Sequence, residues 1–209
     1  MSTTFSVFPS FDKPPTVGAF LASCEQTFHN RCQEVGVLER PKLTLDRIQK
    51  NGNERIPFSP SDLMEWSPQV YAWLEIEGVQ GGTDIYYREN DSFTVDWWRG
   101  AISDRPNNIK AHILEDCLDP GFHWKFRRSA GQSGAVNILY GLAAGCLGEI
   151  SSGAVYSDNG AWVHSRLPML GTQLVDEYMR PWAINDVKFS GWANRCITAL
   201  KTELSSPSI

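Results

Sequence analysis

The sequence predicts a single α+β domain over residues 1–209, in which an antiparallel sheet packs against several helices. Two patterns favour this class. Alternation typical of strands recurs in the middle of the chain, and helical periodicity marks its beginning and its second half. These segments do not alternate regularly, as they would in a parallel α/β fold. The 209 residues are enough for one domain with a sizeable core.

The clearest strand signal lies at residues 70–77, where apolar positions alternate with a polar face. That polar face is formed by Tyr71, Trp73, Glu75 and Glu77. Residues 85–88 and the alternating residues 93–98 predict two more strands, joined by short links as an antiparallel meander. Further strands are expected at residues 5–11 and 122–127, and a tight hairpin at residues 154–163.

Helical spacing begins after Thr16, a candidate N-cap, and ends near Gly36. The strongest helix is expected at residues 135–150, where small residues permit close packing against a sheet. Other helices are predicted at about residues 107–118, 167–180 and 192–204. Residues 39–68 favour mostly loop, with room for one short strand or turn of helix. Residues 1–68 are therefore expected to form a helix-and-loop region, and residues 205–209 are expected to fray.

The formal net charge is -5, which disfavours nucleic-acid binding and suits a basic protein partner. The five cysteines are an odd number without close pairs, a pattern typical of buried free thiols. We find no secretory signal and no apolar run long enough to cross a membrane. We therefore expect a cytoplasmic protein without membrane contact.

Fragments of catalytic motifs occur, but each lacks a required partner. The four histidines are scattered and form no metal-binding pair. Ser133 follows a predicted strand and precedes a helix, as a hydrolase nucleophile would, but the Gly-x-Ser-x-Gly motif is incomplete. Residues 127–134 favour a capped helix start, with an anion site as the alternative. No enzyme activity, metal or cofactor is predicted.

The eight tryptophans are unusually many for a chain of this length. Most are expected in the core. Trp97 and Trp98 are adjacent, and in a strand they would point to opposite faces. One of them would then pack under a helix or stay available to a partner beside Asp96 and Arg99. An exposed tryptophan between charged residues is a typical interface hot spot.

The Trp98-Arg99-Gly100 motif, expected to close a strand, is followed far downstream by Gly153-Ala154-Val155-Tyr156-Ser157-Asp158-Asn159-Gly160-Ala161-Trp162 after a small-residue helix. This combination resembles the immunity protein 52 family of bacterial polymorphic-toxin immunity proteins. The resemblance is best over about residues 93–182 and weak before residue 70. It implies an α+β protein that binds a cognate toxin, such as a nuclease, and neutralises it by occlusion.

Charge, aromatic content and the motif together nominate the partner-binding residues. They are Glu75, Glu77, Asp96, Trp98, Arg99, Asp158 and Trp162. The alternatives are a small hydrolase that uses Ser133 or a carboxylate pair, and a structural subunit whose spare tryptophans form a homodimer interface.

Overall fold

The computed structural model of the chain describes residues 2–50, 52, 54–103 and 109–205. Eight strands in this part form one antiparallel sheet, in the order β3-β2-β4-β5-β6-β1-β7-β8. Their bounds are β1 Thr3–Phe8, β2 Leu43–Gln49, β3 Arg55–Pro57, β4 Val70–Ile76, β5 Thr83–Glu89, β6 Phe122–Arg128, β7 Ala154–Tyr156 and β8 Met169–Leu170.

Six α-helices lie within the described residues. Their bounds are α1 Val17–Glu34, α2 Ser92–Ser103, α3 Ala111–Asp116, α4 Gly134–Ile150, α5 Gly171–Glu177 and α6 Val187–Ser205. Two short 3₁₀ turns occur at His164–Arg166 and Pro181–Ala183. The predicted α+β class is confirmed. The predicted frayed tail lies outside the described residues, except for Ser205, which ends α6.

The first face of the sheet forms the core together with α1 and α4. Ala72, Leu74 and Ile76 of β4 are buried, as the alternation predicted, and Val70 at the start of the strand is half-buried. Helix α1 begins where expected, because the Thr16 hydroxyl accepts a hydrogen bond of 3.2 Å from the Ala19 amide. Gly36 follows the helix with a φ of +83°, a conformation that glycine adopts without strain.

Helix α4 is the centre of the fold and is buried on all sides from Gly134 to Gly148. The predicted close packing exists, but Gly145 approaches α5 rather than the sheet. A Cβ on Gly171 at the start of α5 would come within 2.3 Å of the backbone of Gly148 and Glu149. The two helix backbones therefore touch, and only glycine fits there.

The prediction for residues 39–68, mostly loop with one short strand or turn of helix, underestimated the strand content, because the segment contains both β2 and β3. Strand β2 pairs with β4 along its whole length, from Leu43 opposite Ile76 to Gln49 opposite Val70. Long-range pairing of this kind leaves little trace in local sequence, because packing against cross-strand neighbours stabilises a strand more than intrinsic propensity does. Strands β2 and β3 thus continue the sheet outward beyond β4.

The strand predicted at residues 93–98 is instead part of α2. The Asp91 carboxylate accepts a hydrogen bond of 2.7 Å from the Thr94 amide, so the predicted link between the second and third strands caps the helix. Consequently the Trp98-Arg99-Gly100 motif lies within a helix and does not close a strand. The third strand beside β5 is β6, which the chain reaches only after α2 and α3.

The hairpin predicted at residues 154–163 was also wrong. Its first arm is β7, but the antiparallel partner is β8, with Val155 opposite Met169. The predicted second arm, Ala161-Trp162-Val163, is not a strand. The turn residues instead attach the loop to β1, because the Asn159 side chain accepts a hydrogen bond of 2.9 Å from the Thr4 amide.

Candidate functional site

The second face of the sheet is covered at one end. Phe8 of β1 and His123 of β6 stack at 4.9 Å between ring centroids, and Trp98 of α2 stacks on Phe8 at 4.2 Å. Trp97 meets Tyr156 of β7 edge to face at 4.9 Å. Helix α2 therefore seals this end with aromatic rings, which gain from such offset and edge contacts beyond their buried area.

At the other end of the same face, alternating aromatic and charged side chains remain half-buried or exposed. We call this part the open face. Its members are Asp46, Arg55, Tyr71, Trp73, Glu75, Asp84, Tyr86, Lys125 and Arg127. An antiparallel sheet commonly leaves one face to solvent, so exposure alone carries no function. The aromatic content is the feature that distinguishes this one.

Trp73 lies at the middle of the open face. The strand register places it between Asp46 of β2 and Asp84 of β5, with Arg127 next in the same row. Its ring rests against Gly82, where a Cβ would come within 2.7 Å of the indole. A glycine at position 82 thus permits a close contact between the indole and the backbone just before β5.

Glu75 fixes this tryptophan from the same strand. Its Oε2 accepts a hydrogen bond of 2.7 Å from the Trp73 Nε1 and one of 2.9 Å from the Arg55 Nη1. The Arg55 guanidinium also lies 5.8 Å from the Trp73 ring centroid. The Glu75 carboxylate thus holds both the Trp73 indole and the Arg55 guanidinium in place through charge-assisted hydrogen bonds. The Trp73 ring is therefore preorganised.

Tyr71 and Tyr86 extend the aromatic surface across β4 and β5, with ring centroids 5.8 Å apart. Lys50 and Arg88 lie 5.8 and 5.5 Å from the Tyr86 centroid. Burial raises the pKa of the Tyr86 hydroxyl, and the negative charge of Asp84 adds to the shift. Aromatic rings beside charged groups are typical of the composition of protein interfaces.

Burial also raises the pKa of Asp84, although the neighbouring Arg127 opposes the shift. The two side chains form an ion pair with 3.3 Å between nitrogen and oxygen. The charges of Asp84 and Arg127 offset each other. The open face is therefore mixed in sign, and a partner would meet it with complementary charges at particular positions rather than with one uniform field.

The structure places the predicted residue Trp98 in the core, with no exposed surface. Its Nε1 donates a hydrogen bond of 2.9 Å to the carbonyl of Leu114 and so joins α2 to α3. The prediction of an accessible tryptophan here was wrong because it assumed a strand. In the helix, this side chain points at the sheet.

Trp162 is likewise only 1% exposed. It packs against Tyr178 and Phe189, with ring centroids 4.7 and 5.5 Å away. The adjacent loop folds back over the chain, so the tryptophan is covered by the segment after α5. Both tryptophans proposed as partner contacts are therefore structural.

The remaining predicted residues lie at the surface but on separate elements. Glu77, just beyond β4, is exposed and pairs with Lys42 at 3.7 Å. Asp96 and Arg99 are exposed on α2, and Arg99 pairs with Glu115 at 3.5 Å. Asp158 is exposed in the loop after β7. Of the predicted set, Glu75 alone belongs to the open face, and Glu77 lies at the end of the same strand.

The start of α4 has the structural role that the sequence favoured. The Ser133 hydroxyl accepts a hydrogen bond of 3.2 Å from the Val136 amide and caps the helix. The Glu203 carboxylate of α6 accepts bonds of 2.9 and 2.8 Å from the Gly134 and Ala135 amides. The helix start thus does bind a carboxylate, but one that belongs to the chain itself.

The described residues show no cluster of three or more His, Cys, Asp and Glu that could hold a metal ion. All five cysteines are buried free thiols, as predicted. Across the part of the chain that the structure describes, no helix is long and apolar enough to cross a membrane.

Sequence reasoning placed Trp73 and Tyr71 on a polar face but did not nominate them, and it missed Arg55, Tyr86 and Arg127. The alternation in β4 was a usable signal for the first two residues. The others come together only through sheet pairing. No family model, no curated protein sequence and no solved structure matches the chain at a significant level.

Proposed function

We propose that the protein is an immunity protein, which binds a cognate bacterial toxin in the cytoplasm and neutralises it by occlusion. The observation that carries the proposal is the open face, a surface of preorganised aromatic rings among charged residues. Tryptophan and tyrosine contribute most of the binding energy at protein interfaces, because they bury a large area at little entropic cost.

The chemistry of the proposed partner follows from charge. The chain is acidic overall, at a formal -5, and a nuclease presents a basic cleft to phosphates. Opposite fields speed association and exclude wrong partners. Basic side chains that line such a cleft can contact the rings of the open face and pair with Glu75 and Asp84 in place of Arg55 and Arg127.

The test is co-expression with the product of the adjacent gene, the natural candidate for a cognate toxin. We expect copurification of the two chains and survival of cells that otherwise die from the toxin. The variant Trp73→Ala should lose both effects, whereas Lys201→Ala, a change at an exposed position of α6, should keep them. Absence of binding and of protection with the native chain would refute the proposal.

A homodimer through the open face is the alternative retained from the sequence. Sedimentation of the purified chain separates the two ideas. A monomer that becomes a heterodimer with the toxin supports the proposal, and a dimer that Trp73→Ala dissociates favours the alternative.

A further inference from the structure

A groove crosses the other side of the molecule, beside the loop that connects β3 to β4. Trp66 lies in its middle and divides it into two halves of about 380 Å³ each. We call it the Trp66 groove. Arg47, Phe58 and Asp62 line its inner half only, Tyr87 and Glu89 line its outer half only, and Glu65 and Trp66 border both.

The inner half already holds a cation. The Arg47 guanidinium lies 4.4 Å from the centroid of the Phe58 ring, and it forms an ion pair of 2.5 Å with Asp62. An aromatic ring and a carboxylate thus bind a basic side chain supplied by the chain itself. This is the combination that recognises cations in proteins, because the ring face is negative and the carboxylate neutralises the charge.

The outer half has the same chemistry without the cation. The rings of Trp66 and Tyr87 lie 6.4 Å apart at 55°. Glu65 and Glu89 are exposed, and neither forms an ion pair with any residue that the structure describes. Both carboxylates act on Tyr87, since burial and their charges raise the pKa of its hydroxyl to about 12. This is a negative, aromatic recess.

Trp66 forms the wall between the two halves. The residue is only 9% exposed, and its ring packs against Phe58 and Tyr87, with ring centroids 5.5 and 6.4 Å away. Its indole Nε1 is buried and does not reach the groove. A ligand in the outer half would therefore be recognised by the aromatic rings and the two carboxylates, which together suit a cation.

The groove is rigid enough to act as a pocket. The Met64 amide donates to the Pro15 carbonyl at 2.9 Å, and the Trp124 indole donates to the Met64 carbonyl at 2.6 Å. The loop that carries Trp66 is therefore fixed both to the segment before α1 and to β6. A pocket held in this way binds without the entropic cost of ordering a loop.

We propose that the outer half of the Trp66 groove binds one basic side chain, arginine or lysine, of a protein partner. The cation lies against the two rings and between the two carboxylates. The inference rests on the proposed function only for the identity of the partner, which would be the toxin. The pocket itself is testable without it.

The test titrates N-acetyl-arginine methylamide and N-acetyl-lysine methylamide into the native chain, with N-acetyl-citrulline methylamide as the neutral control. The readout is the Trp66 indole N–H resonance, assigned with Trp66→Phe, or by through-bond experiments on the native chain if that variant does not fold. We expect a saturable shift with at least one cationic probe and at least about fivefold weaker binding of citrulline.

The double variant Glu65→Gln with Glu89→Gln should raise the Kd of the cationic probe by at least about fivefold, because both carboxylate charges that attract the cation are lost. The matched control, Glu39→Gln with Asp119→Gln, removes two exposed acids elsewhere and should bind normally. Equal shifts with citrulline, or normal binding by the groove variant, would overturn the inference. If the groove binds the arginine probe but the chain binds no toxin, the proposed function is refuted and the inference about the groove still stands.

Discussion

The two ends of the second sheet face carry similar side chains, but one end is covered by a helix and the other is open. At the covered end, Phe8, His123 and Tyr156 are sealed under α2. At the open end, Tyr71, Trp73 and Tyr86 have comparable aromatic surface but stay half-buried. The difference is one amphipathic helix. The comparison teaches that aromatic content marks a surface that needs a cover, and that only the covered end has one within the chain.

The largest effect should come from breaking the seal at the covered end. Trp98→Ala removes a fully buried indole and its bond to Leu114, so we expect the free energy of unfolding to fall by about 3–5 kcal/mol. Chemical denaturation measures it. Trp182→Ala is the control, because Trp182 is 67% exposed and should change stability by less than about 0.5 kcal/mol. A similarly small loss for Trp98→Ala would mean that α2 does not cover the sheet.

The covered end should also be acid-sensitive. Burial lowers the pKa of His123 from 6.5 to about 4. The unfolded chain binds this proton more readily, so the contribution of His123 to stability is complete above pH 6.5 and is lost as the pH falls to about 4. It amounts to about 3 kcal/mol.

Unfolding free energies measured from pH 7 to pH 4 should therefore fall more steeply for the native chain than for His123→Phe, which keeps a ring to stack on Phe8. Parallel pH profiles for the two chains would show that the histidine is not held neutral by its surroundings.

The open end should respond in binding rather than in stability. For Trp73→Ala, we expect the affinity for the cognate toxin to fall by more than about 2 kcal/mol, which is roughly a 30-fold rise in Kd. The unfolding free energy should change by only about 1 kcal/mol. Calorimetry and denaturation measure the two quantities. A large loss of stability with unchanged affinity would make this tryptophan structural, like Trp98.

The smallest stability effect should come from Glu75→Gln. It removes the charge that pairs with Arg55 but leaves an amide oxygen to accept from the Trp73 indole. Because the ion pair is partly exposed, we expect a cost of at most about 1 kcal/mol in unfolding. Affinity for the toxin should fall by a similar amount, through looser positioning of the ring. An unchanged affinity would confine Glu75 to a structural role.

The prediction of the site succeeded only where local sequence was informative. The alternation in β4 was enough to place Glu75 and Trp73 together on one face, since strand geometry repeats every second residue. It failed at Trp98, because aromatic and β-branched residues near residue 93 resemble a strand while the Asp91 cap begins a helix. It could not find Tyr86 or Arg127, which join Trp73 only through pairing between distant strands.

The sequence by itself determined the α+β class, the bounds of α1 and α4 to within a residue or two, the buried face of β4 and the free buried thiols. These follow from periodicity, capping residues and side-chain polarity, which act over a few neighbouring residues. Only the tertiary structure decided which aromatic residues are covered, which carboxylate occupies the start of α4, and which rings are left open. Those outcomes depend on contacts between segments far apart in the chain, whose energies exceed local preferences.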